Sequence, residues 1–225
     1  MTTTKPNMHA VAINPAAWPR QTYFYYFTKI APSGFSLTVN MDITATLAWT
    51  KAHHVKFNAV YLYLVSRLLT THPEMRIGYL NDQLVTFDVL HPSYTILHAD
   101  RTMANLWTTY DTDFETFYQH YLADQAEFSA LPGPMPKTPQ TPNLVNIGCL
   151  PGVHFSSYTP LPFKPLDSFF PIFQAGQFKK DADKTIMPLS ITVNHATIDG
   201  DHLSRFFNEL QSCWEQPNTI LSLTI

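Results

Sequence analysis

The sequence predicts an α+β sandwich. Three observations set that class: segments that alternate apolar and polar residues at period two, a small number of segments with helical spacing set apart from long strands, and no internal repeat. Residues 23–30 are strongly aromatic and read as extended. Pro32, Ser33 and Gly34 make a turn, and 36–43 then alternates through Leu37, Val39, Met41 and Ile43 as a half-buried strand does. Asn58 suits the N-cap of a helix to about residue 71, with Val60, Leu64, Arg67 and Leu68 at helical spacing and His72-Pro73 as its stop. Residues 76–80 and 83–87 flank Asn81-Asp82, the signature of a β-hairpin. A short strand follows at 94–98. Thr112 and Glu115 form a T-x-x-E capping box that opens a helix to about residue 128.

Residues 132–142, PGPMPKTPQTP, carry five prolines in eleven positions. Such a segment neither continues a helix nor pairs in a central strand. It suits a domain linker or a rigid loop closing over a pocket. Composition does not change beyond it, which favours one domain over residues 1–225. Residues 144–158 look strand-like. Two further strands at 169–178 and 185–194 are joined by the charged turn KKDADK. After NHATIDG comes a helix with Leu203, Phe206, Phe207 and Leu210 on one face.

Composition excludes several function classes. The 225 residues are 45 % hydrophobic and only 14 % charged, with a net charge of −3. Soluble domains typically carry about 25 % charged residues. The chain is therefore a folded one with a sparsely charged surface, and no nucleic-acid partner is expected of an acidic protein. The seven glycines, at 34, 78, 133, 148, 152, 176 and 200, spell neither GxGxxG nor a P-loop. Cys149 and Cys213 make no disulfide framework and no CxxC. The N-terminal stretch MTTTKPNMHA lacks an apolar core, and the apolar run 59–69 is broken by Ser66 and Arg67. The expectation is a cytoplasmic protein with no membrane partner.

One motif carries chemistry: His195-Ala-Thr-Ile-Asp199-Gly200, placed where an apolar strand hands over to a helix. A histidine there is able to take a proton from a hydroxyl near neutral pH. Asp199 would either orient the imidazole directly or turn away and pin the loop by pairing with a cation. A lone histidine is more often a satisfied core residue, by about two to one, and HxxxD arises easily by chance. A metal set of His195, Asp199 and His202 has suitable spacing, but Gly200 interrupts the helix it needs, so no metal is expected. His53-His54 reads as an exposed helix end. Lys179, Lys180 and Lys184 read as a solvated turn rather than a phosphate site.

The segments WPR (18–20), SGFSLTVNMDIT (33–44), LPGVHF (150–155), MPLSITVNHATIDG (187–200) and HLSRFFNELQ (202–211) together resemble the chloramphenicol acetyltransferases, within the wider HxxxDG group of CoA-dependent acyltransferases. The resemblance covers about residues 18–211. It implies a two-layer α/β sandwich with a large mixed sheet, assembled as a homotrimer, and an antibiotic-resistance activity with no bound cofactor and acetyl-CoA as co-substrate. The active site would lie between subunits, with chloramphenicol or a similar small hydrophobic alcohol as acceptor. The resemblance makes His195 the general base, acting in a ternary complex without an acyl-enzyme, and Asp199 a structural aspartate salt-bridged to Arg20. Tyr26, Phe27, Phe35, Thr95, Met135 and Tyr158 fall at or near acceptor-pocket positions, and their apolar, aromatic character suits an aryl or hydrophobic alcohol.

The chain also departs from the family pattern. Gly148 stands where the family has a serine that hydrogen-bonds the oxyanion, a donor worth about a hundred- to a thousandfold in rate. A Gly148→Ser substitution would then be expected to raise kcat. Strand alternation should point Cys149 to the other face. Among the CoA-contacting positions, Gly152 replaces a tryptophan, and Gln177 and Phe178 replace a lysine-tyrosine pair. Asn194 replaces the first histidine of an HH pair, and Met135 a pocket phenylalanine. The alternatives are a weak or inactive ligand-binding protein on the same scaffold, or an acyltransferase for a different acceptor.

Overall fold

A computed structural model describes residues 8–161 and 168–223; residues 1–7, which carry most of the polar N-terminal stretch, lie outside them. Strand β1 (Ala10–Ala12) precedes helix α1 (Gln21–Tyr25), which runs directly into a π-helical turn (Tyr26–Ile30). The order continues with β2 (Gly34–Asp42), α2 (Thr44–Ala52), α3 (Phe57–Leu69), β3 (Ile77–Leu80), β4 (Gln83–Phe87), β5 (His91–Leu97) and β6 (Met103–Trp107). It ends with α4 (Phe114–Phe128), β7 (Leu144–Leu150), β8 (Ile172–Gly176), β9 (Lys179–Asp181), β10 (Lys184–Asn194), α5 (Gly200–Glu215) and α6 (Pro217–Ile220).

The main sheet runs β2-β10-β8-β7-β5-β6, with β9 added on β10. Its β5–β7 and β7–β8 pairs are parallel and the rest antiparallel, so the sheet is mixed. A small sheet, β1-β4-β3, sits beside it. The expected α+β class with a large mixed sheet is what the chain adopts. Period-two alternation sorts the strand residues. Val145, Ile147, Phe173, Ala175, Leu189, Ile191 and Val193 join the main core. That core is closed by α3, buried along nearly its whole length, and by the Leu203, Phe206, Phe207, Leu210 and Trp214 stripe of α5. The intervening residues, Gly148, Gln174, Ser190, Thr192 and Asn194, fall on the other face of the sheet, with Gly148, Gln174 and Ser190 in one row of the register.

Several expectations need correction. Residues 23–30 are helical, not extended. The aromatics favour strands by propensity, but Phe24 and Phe27, three apart, turn inward while Tyr23, Tyr25 and Tyr26 stay exposed, which is helical spacing. The π turn is tied by Thr28 Oγ1 donating to the Phe24 carbonyl at 2.6 Å. Helix α3 starts one residue before Asn58, so Asn58 is no cap and instead donates to the Tyr121 hydroxyl at 3.4 Å. The cap of α4 is Asp113, whose carboxylate accepts from Thr116 N–H at 2.9 Å, rather than Thr112. The strand expected over 144–158 ends at Leu150. The hairpin is as expected: Asn81 (φ 50°) and Asp82 (φ 61°) are both left-handed, the pattern of a type I′ turn.

Besides the short β1 and α6, two elements had no counterpart in the sequence reading. Helix α2 is rich in threonine, a poor helix former. It is held by tertiary bonds: Thr44 Oγ1 accepts from Thr185 N–H, and Thr46 Oγ1 donates to the Trp214 carbonyl. Strand β6 pairs with β5 from Ser93–Trp107 to Leu97–Met103.

Candidate active site

Arg20 organises the loop that follows β10. It lies just ahead of α1, and its side chain is only 14 % exposed. Nη1 and Nη2 donate to the two Asp199 carboxylate oxygens at 2.5 and 2.6 Å, the bidentate fork geometry. The remaining donors go to the backbone: Nη2 to the His195 carbonyl at 2.9 Å and Nε to the Ala196 carbonyl at 2.8 Å. One side chain thus fixes three residues of the motif. Chiefly through its hydrogen bond from Arg20, against a smaller opposing effect of burial, the Asp199 carboxyl sits below the usual carboxylate range. Asn194 braces the same turn, its side-chain oxygen accepting from Ala196 N–H at 2.9 Å. His202 Nδ1 accepts from Asp199 N–H at 3.0 Å and so caps the start of α5. No group of three metal-binding side chains converges among the described residues.

The His195 ring lies between two aromatic rings. Phe27 stacks on it with centroids 4.0 Å apart and planes 12° from parallel, and Phe35 meets it edge-on at 5.2 Å. Its Nδ1 is buried 3.2 Å from Asp199 Oδ1, without the alignment of a hydrogen bond. The side chain is 32 % exposed, so the open side of the ring is the one bearing Nε2. Of the two roles the spacing allowed, Asp199 takes the pairing with the cation, and it lies beside the imidazole without hydrogen-bonding it. A carboxylate beside Nδ1 favours a proton there and leaves the Nε2 lone pair free. Phe27 and Phe35, with Ser33, Val193 and Asn194, border a depression of about 830 Å³ on the open face of the sheet. His195 itself does not line this depression and meets it through the Phe27 and Phe35 rings that it packs against.

The remaining sequence-selected residues form two groups. Tyr26 packs against Phe27 at 5.1 Å and stays with His195. The others do not. Thr95, on β5, donates to Asn105 of β6 at 3.1 Å, and Asn105 N–H is held by the Pro134 carbonyl at 2.8 Å, which brings the 52 % exposed Met135 near that edge. Tyr158 stands by Phe155, and its carbonyl accepts from Ser190. Gly148 is next to Gln174, while Gly152 is exposed in the turn after β7. Gln177 N–H donates to the Val153 carbonyl, and the Phe178 ring leans on Phe57. His195 lies five residues beyond Ser190, the strand partner of Gln174. At about 3.3 Å per residue that is about 16 Å along the strand, so one copy of the chain does not bring the two groups together.

The sequence reading missed Gln174. No motif marks it, and only strand register places it against Gly148. A Cβ at Gly148 would lie 2.5 Å from the end of the Gln174 carboxamide. A side chain at 148 would therefore meet the flexible end of Gln174, which must shift to admit it.

The chain matches the chloramphenicol acetyltransferase family over residues 7–211. It is 33 % identical to a chloramphenicol acetyltransferase of Clostridium perfringens over 196 residues, covering 86 % of this chain and 90 % of that one. It is 34 % identical to one of Bacillus pumilus over 210 residues, covering 91 % and 96 %. A solved chloramphenicol acetyltransferase superposes with a TM-score of 0.79 at 23 % identity over 91 % of this chain and 99 % of that one. The dihydrolipoamide acetyltransferase of Azotobacter vinelandii shares the fold more distantly, at TM-score 0.60 and 15 % identity over 84 % of each chain.

Proposed function

The chain belongs to the chloramphenicol acetyltransferase family and is an acyltransferase, and from that premise we propose that it moves an acetyl group from acetyl-CoA to the hydroxyl of chloramphenicol or a similar small hydrophobic alcohol. The observation that carries the reading is an imidazole clamped between two aromatic rings, with its loop locked by Arg20 and Asp199 and one nitrogen left open. In the ternary complex Nε2 takes the proton of the acceptor hydroxyl as its oxygen attacks the thioester carbonyl. The C=O electron pair moves onto oxygen to form a tetrahedral oxyanion. Its collapse breaks the C–S bond, and the departing CoA thiolate recovers the proton from the imidazolium. No acyl-enzyme forms, and the step needs no metal.

The site is completed between copies in a homotrimer, with His195, Tyr26, Phe27 and Phe35 from one copy facing the Gly148, Thr95, Met135 and Tyr158 group of the next. The separation of those groups within one chain supports this arrangement. So does the exposed apolar surface of Tyr25, Tyr26, Leu97, Met103 and Leu150. The exposed Met135 and Gly152 give an acceptor and CoA channel different in shape from the family pattern.

Turnover is tested by following free-thiol release from acetyl-CoA with chloramphenicol, then with a panel of aryl and alkyl alcohols and longer acyl-CoA donors. Thiol release that depends on an acceptor is expected. Ligand binding with no release for any acceptor or donor would refute the reading. Sedimentation should give a particle about three times the chain mass, and a monomer at catalytic concentration would refute the shared site.

A further inference from the structure

We infer that the Gln174 carboxamide is the oxyanion donor of this chain, standing in for the side chain that Gly148 lacks. The inference rests on the acyl-transfer reading above. Gly148 and Gln174 are direct partners across the parallel β7–β8 pair and project to the same face of the sheet. A Cβ added to Gly148 would meet the tip of the Gln174 side chain at 2.5 Å and its Cδ at 3.2 Å. The carboxamide therefore occupies the volume in which a side chain at 148 would carry its polar group.

The orientation of that amide follows from its neighbours. With its oxygen turned to the backbone of β7, it accepts from Cys149 N–H at 3.1 Å and Leu150 N–H at 3.2 Å. Turned the other way, the nitrogen would face two donors and reach only the Ala175 carbonyl at 3.5 Å. The first orientation satisfies both N–H groups and points the NH₂ at the vacant side of Gly148. Gln174 is only 9 % exposed, and in that orientation its NH₂ takes the place beside Gly148 where a Cβ would stand. An amide N–H gains most from an acceptor that carries charge. A thioester oxygen gaining negative charge in the transition state is such an acceptor. A donor fixed in advance by two backbone bonds needs no reorganisation when the charge forms. The Gly–Gln pair thus exchanges a short hydroxyl side chain on β7 for a long amide reaching across from β8. The bonds made and broken are those of the transfer already described; Gln174 adds one hydrogen bond to the oxyanion.

The test uses steady-state kinetics on the intact protein, with melting temperature as a control. Gln174→Glu keeps the length and the oxygen that accepts from Cys149 and Leu150, and replaces the donor by a second, anionic oxygen. It should lower kcat about a hundredfold or more, with both KM values and the melting temperature little changed. Gln174→Ala should show a loss of the same order, and Gly148→Ser added to Gln174→Ala should recover at least about tenfold, because a hydroxyl then fits the space the amide left. Unchanged kcat in Gln174→Glu, with an active unsubstituted enzyme, would overturn this inference and leave the acetyl-transfer reading standing. A loss confined to KM, or one tracking a fall in melting temperature, would overturn it as well, since that is a packing role. An inactive unsubstituted enzyme would overturn both.

Discussion

Arg20 and Asp199, 179 positions apart in sequence, meet through two hydrogen bonds of 2.5 and 2.6 Å, and the same guanidinium holds the carbonyls of His195 and Ala196. Lysine cannot reproduce that fork. Arg20→Lys and Asp199→Asn should therefore lower kcat about a hundredfold by misplacing the imidazole, with small changes in KM. Arg20→Ala should also cost about 2 kcal/mol of stability, less than the 3–5 kcal/mol of a fully buried pair, because Asp199 is 41 % exposed. Kinetics together with denaturant titration separates the two effects.

Gly34 pairs with Asn194 at the end of β2, and a Cβ there would sit 2.6 Å from the Val193 carbonyl oxygen. Gly34→Ala must spread the two strands next to His195. The expected result is a loss on the order of 1–3 kcal/mol and a fall in kcat of about tenfold or more. An alanine variant with unaltered melting and rate would show that the strand ends have slack.

Two buried histidines tilt stability with pH in opposite directions. Burial, helped by nearby Lys137, pushes the His91 pKa down to about 4. Between pH 6.5 and 4 the unfolded chain binds a proton there that the native state refuses, so stability falls as pH drops through that window, by up to about 3 kcal/mol. Burial opposes charge on His72 too, but hydrogen bonds from its ring to the Glu74 and Glu209 carboxylates outweigh it and raise its pKa. Its contribution is present in full below pH 6.5 and is lost as pH rises through the native value. Melting curves across pH should show His91→Asn flattening the acid slope and His72→Gln flattening the one above pH 6.5.

Much of the architecture was legible in the sequence because alternation and turn chemistry act locally. The β2 and β10 alternation, the Asn81-Asp82 turn and the α5 stripe all follow from nearest neighbours. Helix α1 and its π turn were not legible, since Tyr23 to Ile30 favours strand locally and is helical only because Phe24 meets Trp18 and Phe169. Helix α2 was hidden by threonines whose partners, such as the Trp214 carbonyl, are distant in sequence. In the site, the HxxxDG motif and WPR exposed His195, Asp199 and Arg20. Gln174 stayed invisible because its meaning comes from the register of two parallel strands, which no local pattern specifies.

The most direct measurement is the acetyl-transfer rate at saturating acetyl-CoA and acceptor for His195→Ala beside the unsubstituted protein. With His195 Nε2 as the base, kcat should fall by about a hundred- to ten-thousandfold while acetyl-CoA still binds and the fold still melts cooperatively. An alanine variant that turns over at the original rate would contradict the account.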